Sequence, residues 1–158
     1  MAALAEMMAR YAQPGRVERI ILRPGRLAEP AEVEAAWWSD SGLDGDHARP
    51  GKRALTLIQA EHLPVIAALA GLENVEAAWL RRNLVISGLN LHAFRSGRLR
   101  IGGTLVEPTG PCAPCSRMEA ALGHGAYTAM RGHGGLCARV IVPGRIAVGD
   151  GVTPVEKE

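Results

Sequence analysis

Nineteen glycines and ten prolines cut this 158-residue chain into short pieces. Glycine weakens helix and strand interiors, and proline ends helices by removing an N–H and clashing with the preceding turn. Breakers at this density favour many short strands over a few long helices. The runs between them agree. Residues 16–23 (RVERIILR), 33–38, 54–58 (ALTLI), 84–87, 136–142, 145–148 and 152–155 are short and rich in Val, Ile and Leu, which predicts strands. Residues 99–101 and 104–107 flank Gly102-Gly103 as a hairpin. Short helices are expected at 2–11, stopped by Pro14-Gly15, and from Gln59 to Gly71 with Pro64 in the first turn. A third helix, capped by Asn74 and running to Arg82, should bury Trp79 and Leu80. In a fourth, Ser116 is the predicted cap, with Glu119 completing a capping box, and the helix ends at Leu122. With no internal repeat and no linker, the expected fold is α+β, mostly β. It is a single closed or nearly closed β-barrel over residues 16–155 with flanking short helices, preceded by a helical extension at residues 1–15.

Aromatic residues make up only 4% of the chain, so the core must rest on Val, Leu, Ile and Ala. The net charge of +2 is too balanced to argue for nucleic acid. The chain has no run of eighteen or more apolar residues and no hydrophobic stretch with a cleavage site at its start, so neither a membrane nor a secretory route is expected. Three cysteines, an odd number, fit reduced thiols and a cytoplasmic location better than a disulfide framework.

Four segments carry chemistry. In Pro111-Cys112-Ala113-Pro114-Cys115-Ser116-Arg117, two thiols sit three apart just before a predicted helix. The helix N-terminus and Arg117 favour a thiolate at Cys115, the form that binds soft metals or attacks disulfides. Three other readings stand beside this: a thioredoxin-type redox pair, half of a zinc site, or two inert buried thiols. Cys137 and His133 are the nearest zinc ligands on offer, at a spacing that matches no common zinc pattern. The second segment, Gly42-Leu43-Asp44-Gly45-Asp46-His47, lacks the ligand spacing of a calcium loop and reads as a tight turn or a pocket-mouth loop. In the third, Arg81, Arg82 and Asn83 precede a strand, and arginine there serves either as a phosphate clamp or as a solvated helix end. Gly132-His133-Gly134-Gly135, the fourth, offers backbone N–H groups to an anion. His62, His92 and His124 have no partner at metal spacing.

These segments in this order resemble the MOSC domain family, named for the C-terminal domain of molybdenum cofactor sulfurases. GLDGDH at 42–47, ALTLIQAEHL at 54–63, LRRNLVISGLNL at 80–91, RLRIGGTLVEPTGPCAPC at 98–115 and GHGGLCARVIVPGRIAVGD at 132–150 carry the resemblance, and the compact length is similar to the stand-alone bacterial type. The resemblance implies a barrel that holds the molybdenum–pyranopterin cofactor through one cysteine, which falls at Cys115. It implies Cys115 as metal ligand and catalytic group, with Arg81 and Asn83 as contacts of the pterin phosphate. From the loops themselves, Asp46, His47, Arg81, Asn83, Cys115 and Arg117 are expected to line one pocket, with Asp46 as a second catalytic group and His47, Arg117 and Gly134 as further cofactor contacts. Of the activities it implies, one is reduction of N-hydroxylated small molecules, fed by a separate flavin or iron–sulfur electron donor. The other is sulfur or cofactor carriage on a Cys115 persulfide; a non-catalytic cofactor-binding module is a third reading. The family's association with pyridoxal phosphate comes with the resemblance. A monomer or homodimer acting without nucleic acid or membrane is expected.

Overall fold

The structure is a computed structural model that describes residues 3–25, 28–48 and 50–156. Seven strands close into a barrel. They are β1 (Gly15–Leu22), β5 (Leu55–Gln59), β6 (Leu84–Ser87), β7 (Arg98–Ile101), β8 (Thr104–Pro111), β9 (Leu136–Val142) and β11 (Gly151–Val155). Around the barrel the order is β1, β11, β7, β8, β9, β5 and β6, with β6 pairing back onto β1. Only β5 and β6 pair in parallel, and the helix α2 (His62–Ala70) lies in the crossover between them. A short strand β2 (Ala31–Val33) adds to the outside of β1. Closure leaves few free edges, which suits a chain without long covering helices.

Two faces of the barrel wall are buried, which explains the unbroken apolar runs. Along β5, Leu55 and Leu57 point inward, while Ile58 points out beneath the helices. Leu84 and Ile86 likewise face in and Val85 faces out, and on β1 Ile20 faces in and Ile21 out. The outer layer is α2 with α3 (Ser116–Leu122) and α4 (Ala126–Met130), which contribute Ile66, Met118, Leu122 and Met130. Fully burying each such side chain contributes about 1.5–3 kcal/mol. A second sheet of β3 (Ala35–Ser39), β4 (Gly42–Leu43) and β10 (Gly144–Ala147) packs onto the barrel interior. Its Trp38, fully buried, joins Leu43 and Ile146 in the inner core, where one large side chain fills much of the volume.

Several local expectations are corrected. Residues 77–80 form a single 3-10 turn and not a full helix, and Trp79 is 45% exposed while Leu80 is buried. The Asn74 side chain donates to Glu76 and not to a helix end. Residues 42–43, read as loop, pair with β3 as β4. At the N-terminus, α1 (Leu4–Ala9) forms but buries no residue. No helix among the described residues is long and apolar enough to cross a membrane.

Candidate functional site: an arginine cluster beside Cys115

Beyond β4 the chain turns at Gly45 and brings Asp46 under the end of β1. Its carboxylate accepts from the Arg23 backbone N at 2.6 Å, from Arg23 Nε at 3.0 Å and from Arg23 Nη2 at 2.8 Å. Burial alone would push this carboxyl up. The hydrogen bonds and charge of Arg23, with backbone donors, outweigh it and hold Asp46 below the ordinary carboxylate range. Asn83, fully buried, is the hub beside it. Its Oδ1 accepts from the Thr56 backbone N and hydroxyl and from Arg23, and its Nδ2 donates to Ile21 O and Asp46 Oδ1. With every polar atom engaged and no exposed surface, Asn83 organises the site from beneath. His47 is exposed, and its Nδ1 lies 2.8 Å from the Arg23 carbonyl. Because a carbonyl only accepts, Nδ1 carries the proton, which leaves Nε2 outward.

Arg81 takes the left-handed conformation, φ 56°, at the end of the 3-10 turn. Its guanidinium donates to the Ala28 carbonyl at 2.6 Å and the Gly25 carbonyl at 2.7 Å. Burial, then the neighbouring charges of Arg117 and Arg23, lower its pKa, with Asp46 opposing. Arg23, Arg81 and Arg117 are therefore one electrostatic cluster, drawn from the residue just after β1, from the loop before β6 and from α3.

Cys115, not Ser116, is the N-cap of α3. Its backbone is extended and its side chain makes no cap bond, so the thiol is exposed two residues from Arg117. Glu119 does not complete a capping box on α3. It accepts from Gly125 N and Tyr127 N, at 3.0 Å and 2.9 Å, and so caps α4 instead.

Cys112 and Cys137 are buried, on the other side of the same turn. Arg82, 6% exposed, clamps this region: Nε donates to Gly134 O at 2.8 Å, Nη1 to Leu80 O at 2.9 Å and Nη2 to Cys112 O at 3.5 Å. A cavity of about 320 Å³ opens here, walled by Cys112, Arg131, Gly134, Gly135, His92 and neighbours. Cys115, Asp46, His47, Arg81 and Arg117 are not on its wall. The one pocket expected for all these residues is thus two adjoining features, an exposed arginine–cysteine patch and a cavity containing Gly134, joined through the consecutive residues Arg81, Arg82 and Asn83. Gly134 and Gly135 are set by close approach. A Cβ on Gly134 would lie 2.6 Å from Cys112 O, and on Gly135, at φ 90°, 1.9 Å from Leu57 O.

Sequence reasoning missed Arg23, the role of Arg82, and the packing of His62 on His133, whose ring centroids are 5.4 Å apart. An arginine two residues before a strand buried on both faces was the available signal for Arg82. Among the described residues no three His, Cys, Asp or Glu side chains converge as a metal site, so the half-zinc reading of the cysteines gains nothing.

A closed seven-strand barrel with short flanking helices, an exposed thiol at the start of α3 and clustered guanidinium groups define the class of fold. The chain belongs to the MOSC domain family, whose profile matches residues 44–153. That family is associated with molybdenum cofactor. No curated protein matches in sequence. Among solved structures, YuaD from Bacillus subtilis is similar with a TM-score of 0.80 at 17% identity, covering 92% of this chain and 98% of that one. YiiM from Geobacillus stearothermophilus has a TM-score of 0.74 at 19% identity, covering 90% and 76%. YiiM from Escherichia coli has 0.71 at 21%, covering 90% and 71%. At these identities the likeness is one of fold.

Proposed function

We propose that this protein binds the molybdenum–pyranopterin cofactor, with the Cys115 thiolate as metal ligand, and reduces N-hydroxylated small molecules. The observation that supports this is the exposed Cys115 thiol at the start of α3, two residues before Arg117, whose charge acts on Arg81 together with that of Arg23. The donor set suits the group: molybdenum accepts a soft thiolate, and the cofactor's phosphate needs guanidinium and backbone donors. When bound, the cofactor supplies the two-electron chemistry at the N–O bond.

The chain's own residues bind and orient. Arg117 and Arg81 supply positive charge toward the anionic portion of the cofactor. His47, fixed through Nδ1, presents Nε2 as a proton acceptor or ligand contact. Asp46 is ionised, paired with Arg23, and its side chain has 0% exposure, so it positions Arg23 and His47 rather than donating a proton. Asn83 holds that arrangement from below, and Gly134 keeps the cavity wall clear of side-chain bulk. Electrons come from a separate flavin or iron–sulfur protein. In cells with intact cofactor synthesis, the wild type should purify with molybdenum and reduce hydroxylamine-type compounds with an artificial reductant. Cys115→Ser should lose both. Molybdenum retained by Cys115→Ser would refute the ligand.

One observation favours a second reading. Cys115 lies outside the cavity wall, on an exposed turn, the setting a transferable sulfur requires. A labile extra sulfur on Cys115 in protein purified without molybdenum would mark a sulfur carrier.

A further inference from the structure

Among the described residues, Arg82 is a buried cation without a counter-ion. It is 6% exposed, and the acceptors its guanidinium reaches are the carbonyls of Gly134, Leu80 and Cys112. Arginine stays charged at any ordinary pH. Carbonyls satisfy its N–H groups but bring no negative charge to balance it, and a charge taken out of water needs one. Gly134 and Cys112 both belong to the wall of the 320 Å³ cavity, and a Cβ built on Gly134 would lie 3.5 Å from Arg82 Nη2. The positive charge therefore stands directly behind that wall.

The wall itself repeats the pattern. Arg131, exposed just after α4, is part of it, and its guanidinium has no hydrogen-bond or ion-pair partner among the described residues. Next comes Gly132-His133-Gly134-Gly135, the segment whose N–H groups the sequence offers to an anion. The backbone N–H groups of Gly132, Gly134 and Gly135 donate to no acceptor among the described residues, and all three glycines are on the wall. Gly132 and Gly135 take positive φ, 85° and 90°, as in turns that gather N–H groups into an anion-binding hollow. The wall includes no Asp or Glu. Pro111, Ala113, Pro114 and Leu136 make another part of it apolar. The volume is that of a site for a small organic molecule, about 300 Å³ or more. A bare ion would leave the apolar part unused, and a neutral apolar molecule would leave the donors and Arg82 unanswered.

We propose that this cavity binds a small organic carboxylate. Arg131 and the N–H groups of the glycine loop hold its charged end, with the field of Arg82 behind them, and its apolar body lies against Pro111, Pro114 and Leu136. Pro114 immediately precedes Cys115, so the wall ends one residue from the exposed thiol. One point rests on the molybdenum reading: the carboxylate then belongs to the N-hydroxylated substrate.

The full chain, isotope-labelled on nitrogen and without added cofactor, is titrated with benzoate and followed by amide NMR. The amide protons of Gly132, Gly134 and Gly135 should shift downfield and saturate. Acetate has the charge without the body and benzamide the body without the charge; each should bind about tenfold more weakly or worse. Arg131→Gln, a change at an exposed side chain, should weaken benzoate about tenfold at an unchanged thermal midpoint. Benzamide binding as tightly as benzoate would overturn the anion. Benzoate shifts confined to the surroundings of Arg81 and Arg117 would overturn the site. Inorganic phosphate that displaces benzoate at equal concentration would assign the loop to a phosphate and overturn the carboxylate. In cofactor-loaded protein, para-carboxybenzamidoxime should show a KM about tenfold below that of benzamidoxime, and Arg131→Gln should abolish the difference. Equal KM values would overturn the assignment to the substrate. The titrations read protein without cofactor, so their failure leaves the Cys115 ligand test standing, and failure of that test leaves the binding site standing.

Discussion

Asp46 Oδ1 accepts from Asn83 Nδ2 at 3.1 Å, and through this contact the loop after β4 is fastened to the barrel wall at β6. The same carboxylate holds Arg23, whose side chain is 13% exposed. Asp46→Ala would leave a nearly buried guanidinium without its charge partner and take one of two acceptors from the Asn83 amide. The expected cost is about 3–5 kcal/mol, read from urea unfolding. The pH dependence follows from the lowered pKa of Asp46. Its folded value lies below its unfolded value, so its contribution is complete above about pH 4 and is lost as pH falls through the folded value. Wild type should lose its advantage over Asp46→Ala on acidification; a constant difference down to strongly acid pH would contradict the pairing.

Gly135 sits at φ 90° with Leu57 O where a Cβ would go. Gly135→Ala should destabilise by about 3 kcal/mol or more, because backbone strain and a clash with backbone both apply. Gly51, also at positive φ (111°) but with open space around it, gives the comparison. Gly51→Ala should cost only about 1 kcal/mol. Equal thermal midpoints for the two variants would show that contact with β5 is not what fixes Gly135.

Cys115 is exposed and makes no cap bond, so Cys115→Ser should change stability by no more than about 0.5 kcal/mol. A loss of molybdenum from that variant is then a loss of the ligand and not of the fold. Circular dichroism melting beside metal analysis makes the separation.

His62 is pushed down by burial and by the charge of His133, with His92 adding to this and Glu61 opposing. A base with a lowered folded pKa contributes stability above its unfolded value, about 6.5, and loses it as pH falls. The thermal midpoint should fall between about pH 7 and about pH 5, and His62→Gln should flatten that slope. An unchanged slope would place the acid sensitivity elsewhere.

The sequence by itself determined the barrel, because its evidence is local. Glycine and proline mark the ends of short apolar runs, and the runs at 16–23, 84–87 and 136–142 became β1, β6 and β9 with shifts of a residue or less at each end. The Gly102-Gly103 hairpin and Pro64 in the first turn of α2 were legible for the same reason. A thiol at Cys115, next to a helix start and Arg117, could also be read from neighbours in the chain.

Tertiary structure alone decided the pairings. Arg23 meets Asn83 across 60 residues, and Arg82 meets Gly134 across 52. Such contacts depend on which strands close the barrel and in what register, and no periodicity encodes that. The Pro-Cys-Ala-Pro-Cys spacing joined Cys112 with Cys115, yet the ladder turns the Cys112 sulfur inward while the start of α3 leaves Cys115 in solvent. The physical reason is that a strand sends alternate side chains to opposite faces and a helix N-cap lies outside both, so neighbours in sequence part company in space.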